Sequence, residues 1–204
     1  MKSGIVTLAA IMAVGCLYAQ DAQVIINIDA ENQGPAVSPT HYGLFYEDIN
    51  HAADGGLYAE LIRNRSFEDG GMVSWQAVGG ASLALTQDNM LNSVQHNALD
   101  ITMAAGGDGV RNEGFWGMNI VGGQKYQLSF FAKSNAGYKG TLTACLVTAD
   151  GQPLGSAAIR VKASDKWKKY TATIIANGND PKGQFVLTAD KAGQLQLDAV
   201  SLFP

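Results

Sequence analysis

The carboxylates most able to do chemistry sit in one stretch, SPTHYGLFYEDINHAADGGLYAELIRNRSFED, residues 38–69. Glu47 closes an apolar run there, the position at which barrel enzymes place their active-site groups. A plainer reading is a strand-end carboxylate paired with Arg63 or Arg65. Asp48, Asn50 and His51 follow directly and could line the rim of a pocket, although Asp and Asn side chains commonly cap loops at strand ends. His51 and Asp54 lack a third ligand at useful spacing, so they make no metal set. Gly55 and Gly56 suit a tight turn; without a strand–GxxxxGK–helix pattern they are no phosphate loop. Cys145 lies in the alternating run TLTACLVTAD with no base beside it, which reads as packing and not as a nucleophile.

The elements that must hold these groups follow from pattern and composition. The chain has 204 residues, 47% hydrophobic and 16% charged, a foldable mix. Its formal net charge of -4 gives no electrostatic reason to bind nucleic acid. The 24 glycines favour turns and strands over long helices. MKSGIVTLAAIMAVGCLYAQ carries Lys2, an apolar run from Ile5 to Tyr18 and small residues near its end, which predicts a secretory signal over 1–19. The run is shorter than the ~20 apolar residues of a bilayer span, so no transmembrane segment is expected. AVGC before Cys16 leaves a lipid anchor as the alternative to a free secreted or periplasmic chain. With the signal removed, Cys145 is the one remaining cysteine and no internal disulfide is expected.

Residues 23–65 read as a short strand, QVIINIDA, then a strand apolar on both faces, HYGLFYEDIN, a glycine loop, and a short amphipathic helix over GLYAELIRN with Leu57, Leu61 and Ile62 at helical spacing. That is one β/α unit, and alone it cannot bury both faces of its strand. Residues 66–204 change texture. Short strands alternate with turn segments such as AAGGDG, SNAGYKG and NGNDPKG. Tyr126, Leu128 and Phe130 share one face of YQLSF, and Gln127 and Ser129 the other. In GQLQLDAVSLF, Leu195 and Leu197 share one parity while Val200 and Leu202 share the other, which predicts a bulge near Asp198. The expected fold is mainly β: an antiparallel β-sandwich of jelly-roll, carbohydrate-binding-module-like form, preceded by one β/α unit of an incomplete (β/α)8 barrel.

SPTHYGLFYEDINHAADGGLYAELIRNRSFE resembles the N-terminus of the α-L-arabinofuranosidases of glycoside hydrolase family 51. NRSFEDG…W, GGQKYQLSFFAKS, WKKYTATI and LQLDAVSLFP resemble carbohydrate-binding sandwich modules of the family-4 type. Many enzymes of the first family carry such a module inserted after the first β/α unit. The resemblance implies a retaining hydrolase of terminal α-L-arabinofuranosyl residues on arabinan or arabinoxylan. Its catalytic barrel takes ~250 residues, and its acid/base and nucleophile glutamates lie on later barrel strands. Such an enzyme sets two carboxyls about 5 Å apart. Glu31, Glu47, Glu60, Glu68 and Glu113 do not fit the motifs for that pair. The chain therefore reads as the N-terminal part of such an enzyme, without catalytic residues and without the barrel that would be its partner. By the same resemblance Glu47 hydrogen-bonds the arabinofuranose ring, a task suited to a charged acceptor.

Within the sandwich, binding is expected through an aromatic face. The candidates are Trp75, Trp116, Trp167, Tyr138 and Phe115. Trp116 is singled out because glycines flank it in GFWGMN and Asn112, Glu113 and Asn119 are near; packing is the rival role for any tryptophan. The module resemblance also implies that Glu68 and Asp198 flank a structural calcium, two carboxylate anchors from opposite ends of the domain. The alternative is a pair of exposed acids. No cofactor for chemistry is implied. Two further readings stand beside the enzymatic one: a stand-alone carbohydrate-binding module, and a sandwich that only docks onto a barrel.

Overall fold

The computed structural model describes residues 25–29, 31, 34–41, 43, 45–47, 49, 53, 57–134 and 137–204. The chain divides into two units, Met1–Phe45 and Tyr46–Pro204. The expected signal at 1–19, with Cys16, lies outside the described residues, as do Asp48, Asn50, His51 and Asp54. In the first unit no helix or strand occurs among the described residues. Ile25, Ile26 and Ile28 are exposed, so the strand expected over 23–30 does not form across 25–29. Such a strand needs a neighbour for its main-chain donors and acceptors.

Among the described residues of the second unit, eleven strands form two antiparallel sheets: β1 (Trp75–Val78), β2 (Ser82–Thr86), β3 (Ala98–Met103), β4 (Gly109–Asn112), β5 (Met118–Ile120), β6 (Lys125–Lys133), β7 (Gly140–Val147), β8 (Pro153–Val161), β9 (Lys168–Ile175), β10 (Asp180–Ala189) and β11 (Gly193–Phe203). One sheet runs β1-β4-β10-β7-β8, with β5 also on β10; the other runs β2-β3-β11-β6-β9. Alternation drives the layering. Tyr126, Leu128 and Phe130 of β6 and Leu195 and Leu197 of β11 meet Phe185 and Leu187 of β10 and Leu142, Ala144 and Leu146 of β7 in one core. Full burial of each large side chain contributes about 1.5–3 kcal/mol. This is an antiparallel β-sandwich, as expected for residues 66–204.

The parity break in β11 is a bulge. Its register against β6 shifts between Asp198 and Ser201, and Ala199 has φ 47°. Gly114 to Trp116 make a turn ahead of β5. Gly117 follows at φ 92°, where a Cβ would stand 2.6 Å from Lys182 Cα, so only glycine lets this turn lie on β10.

The β/α unit is not seen. Among the described residues there is no helix, and those of 41–49 form no strand. Phe45 is 89% exposed and not packed between two layers. The described residues 57–64 of the expected helix form none: 59–62 have no regular structure and 63–66 turn, with Asn64 at φ 53°, burying Glu60, Ile62 and Asn64 while their neighbours stay half-exposed. The Leu61 N–H donates to Leu202 O (3.0 Å), and the Val200 N–H donates to Arg65 O (2.9 Å). Beyond the bulge β11 still pairs with β6, but its other edge, which β3 leaves at Leu197, captures these main-chain groups in place of a helix's internal bonds.

Candidate functional site

The turn between β4 and β5 presents Trp116, 60% exposed, beside Phe115 at a ring-centroid distance of 6.4 Å and 42° between planes. Together with Leu61, Gly117, Asn119, Pro181 and Lys182 these rings line a cleft of ≈ 230 Å³. Lys182 Nζ donates to Trp116 O (2.8 Å), tying the turn to β10. Arg63 Cζ lies 5.9 Å from the Phe115 ring centroid. Asn112, buried in β4, anchors the turn from beneath. Its Oδ1 accepts the Gly114 N–H (2.9 Å) and the Arg63 N–H (3.3 Å), and its Nδ2 donates to Arg63 O (3.0 Å). An exposed indole on a braced turn, with amide and ammonium groups around it, can stack on an apolar ring face and donate hydrogen bonds to its substituents.

Phe115 also borders a second cleft of ≈ 370 Å³, lined by Tyr58, Glu60, Arg65, Ser66, Glu68 and Asp69 among others. Glu68 accepts the His96 N–H (2.6 Å) and the Asn97 N–H (2.9 Å) at Oε1, and Oε2 lies 3.4 Å from His96 Nδ1. The His96 N–H, foremost, holds its carboxyl below the ordinary range. Asp198 differs. It is fully buried at the β11 bulge, so the reading of two exposed acids is overturned. Gln95 Nε2 (3.3 Å) and the Ala199 N–H (2.6 Å) donate to its Oδ1, while Oδ2 has no partner among the described residues. Burial pushes its pKa up to about 6, and the nearby charge of Glu68 adds to the rise. The two acids predicted together are therefore neighbours. An orphaned, buried carboxylate oxygen is what a hard cation would satisfy, so these residues fit calcium as anchors. Among the described residues no group of three or more His, Cys, Asp or Glu side chains is placed to hold a metal, so other ligands would have to be carbonyls, amides or water.

Glu47 is exposed, and its carbonyl accepts the Ile49 N–H (3.0 Å). Among the described residues it pairs with neither arginine. Arg65 Nη1 donates to Tyr58 OH (3.2 Å) and Arg65 Nε lies 3.9 Å from Glu60 Oε2, while Arg63 Nε is buried without a hydrogen-bond partner among the described residues. Trp75 is a core residue whose Nε1–H reaches Asn64 O (2.9 Å). Tyr138 is buried, its hydroxyl donating to Asp190 Oδ1 (3.0 Å). Trp167 donates to Asn89 O (2.8 Å). Cys145 sits in β7 with its thiol pKa raised by burial, opposite to what a nucleophile needs.

Sequence reasoning missed Glu60. It is buried, its Oε1 accepting the Ile62 N–H (3.0 Å) and the Leu202 N–H (2.8 Å), and its Oε2 the Ser201 hydroxyl (2.7 Å). Nothing in a glutamate on an expected helix signals that role.

Residues 59–193 match the sequence profile described as a carbohydrate binding domain. An extracellular exo-α-L-arabinofuranosidase of Streptomyces chartreusis is 37% identical over 188 residues, 88% of this chain and 22% of the relative. Alpha-L-arabinofuranosidase 1 of Arabidopsis thaliana is 35% identical over 200 residues, 89% of this chain and 29% of the relative. The solved structure of an arabinose-bound GH51 α-L-arabinofuranosidase superposes with a TM-score of 0.74 at 30% identity, covering 80% of this chain and 29% of that one. The chain thus spans less than a third of the length of these arabinofuranosidases.

Proposed function

The chain belongs to the carbohydrate binding domain family, and from that premise we propose that it is the glycan-recognising, N-terminal part of an exported α-L-arabinofuranosidase. The substrate of the whole enzyme is a plant polysaccharide such as arabinan or arabinoxylan, cleaved at terminal non-reducing α-L-arabinofuranosyl residues. The observation that carries recognition is the Trp116 indole, 60% exposed on a turn braced from β4 and β10. Its ring stacks on a sugar face, with Asn119 and Lys182 as hydrogen-bonding neighbours. Glu47, exposed, holds the arabinofuranose ring once the catalytic barrel is present. Glu68 and Asp198 hold a structural calcium, which neutralises the buried carboxylate and ties the segment before β1 to the β11 bulge.

Affinity electrophoresis in arabinoxylan gels tests this reading. Retardation of the chain, lost in Trp116→Ala, is the expected result. Equal retardation of both proteins removes the platform. The chain alone should leave a nitrophenyl arabinofuranoside intact; turnover abolished by Glu47→Gln would overturn its assignment as non-catalytic. The rival reading, a sandwich that docks without binding sugar, draws on the loop 87–97, which closes over the outer face of the β2-β3-β11-β6-β9 sheet and leaves Lys133 only 2% exposed. Absence of retardation in arabinan, arabinoxylan and xylan gels alike would favour it.

A further inference from the structure

A cavity of ≈ 730 Å³ lies away from both clefts above and is lined by Lys139, Thr141, Arg160, Lys162, Asp190 and Lys191 together with small residues. Its volume falls in the range of ligand pockets, about 300–1,000 Å³. Three elements supply it: the start of β7, the end of β8 and the β10–β11 turn. The β7–β8 register sets Thr141 opposite Arg160 and Gly140 opposite Val161, so Arg160 and Lys162 alternate outward around buried Val161.

The charge is concentrated. An acidic chain with 14 cationic side chains places four of them here. All four are exposed, and none forms an ion pair within 4.0 Å among the described residues. The one acid, Asp190, is already committed. Its Oδ1 accepts the Tyr138 hydroxyl (3.0 Å), its Oδ2 accepts the Thr141 N–H (2.9 Å), and its own N–H donates to Thr141 O (3.0 Å). Gly140 leaves room for that clasp, because a Cβ there would overlap Asp190 Oδ1 and come within 2.6 Å of Tyr138 OH. The wall is therefore fixed; Lys191 acts on Asp190 through space, and none of the four cations is ion-paired to it among the described residues.

We infer that this cavity is a second glycan subsite, selective for the carboxylate of a uronic acid residue. Arg160 supplies a planar fork that matches a carboxylate bidentately, the lysines add point charges, and the cavity has room for the sugar ring. The inference rests on the module being glycan-binding, but it uses no residue of the Trp116 cleft.

Two acidic sources offer that chemistry, a galacturonate backbone and a glucuronate side chain. The full chain is titrated calorimetrically with trigalacturonate, with a glucuronosyl xylobiose, and with neutral galactotriose. At least one acidic oligosaccharide should bind, galactotriose should not, and added salt should weaken binding. Arg160→Gln combined with Lys162→Gln should weaken it about tenfold or more, the weight of one lost charge-assisted contact. If that variant melts early, Lys139→Gln with Lys191→Gln gives the same reading from the opposite wall. Failure of both acidic ligands to bind, affinity unchanged in the variants, or equal binding of galactotriose would overturn the subsite. Binding of neutral arabinoxylan through Trp116 is scored separately, so either site can fail while the other stands.

Discussion

Lys133 Nζ lies 4.9 Å from the centroid of the Trp167 ring, and both side chains donate to one carbonyl, Asn89 O, at 2.7 and 2.8 Å. Lys133 also reaches Asp88 O at 3.3 Å, and burial pushes its pKa down. Together they pin the β2–β3 loop over the outer face of the five-stranded sheet. Trp167→Phe keeps a ring over the ammonium but removes the donor to Asn89. It should destabilise the chain by about 1 kcal/mol in urea unfolding, and amides of residues 88–92 should exchange faster with solvent. Unchanged exchange in that loop would show that Trp167 does not hold it.

Asp108 offers the clearest pH dependence. Its Oδ1 accepts the Gly80 N–H (2.7 Å), and its Oδ2 accepts those of Ala104 (2.8 Å) and Ala105 (2.9 Å). These donors, Gly80 first, hold the carboxyl below the ordinary 3.8. The folded form thus binds its proton more weakly than the unfolded chain does. Its contribution is complete above that ordinary value and fades as pH falls through the lower folded one. Asp108→Asn should melt earlier than the parent at neutral pH, and the gap should narrow only as pH falls below the ordinary 3.8. A gap that stays constant into acid would mean that the charge is irrelevant.

What the sequence made legible follows from how local each signal is. Alternation at Tyr126, Leu128 and Phe130 and the parity switch near Asp198 are properties of a single strand, and both appear in the sandwich. Strands β1 and β4 are four residues each, with Arg111 and Asn112 interrupting any apolar run, so they have no pattern to read. The Leu57, Leu61 and Ile62 spacing misled because the competitor was the distant β11, whose free main-chain groups decide the conformation. The burial of Asp198 and the cavity ringed by Lys139, Arg160, Lys162 and Lys191 depend on residues far apart in the chain, and no spacing announces them.

Calcium should be readable as stability. Asp198 Oδ2 is buried and unpartnered among the described residues, and Glu68 stands near enough to raise the Asp198 pKa. A cation satisfying both should raise the melting temperature with the logarithm of its concentration above its Kd. At a concentration a hundredfold above its Kd the gain is about 2.7 kcal/mol, several degrees for a domain of this size. A chelator should reverse it, and Asp198→Asn with Glu68→Gln should abolish the response. A melting temperature that does not respond to millimolar calcium would remove the ion from this site.

The segment before β1 belongs to the sandwich. Phe67 is fully buried, its ring centroid 5.3 Å from that of Trp75, and Ile62 is buried in the same core. Glu60 clamps this segment to β11 through Leu202 N–H and the Ser201 hydroxyl. Glu60→Ala orphans buried donors and should cost about 1–3 kcal/mol for each that finds no water. Phe67→Ala, which empties a closed part of the core, should cost about 3–5 kcal/mol. A chain begun at Ser66 loses the clamp and Ile62 together, and should unfold at lower urea than one begun at Tyr46. Equal midpoints for the two chains would place the edge of the folded unit at Ser66 and reduce the Glu60 contacts to decoration.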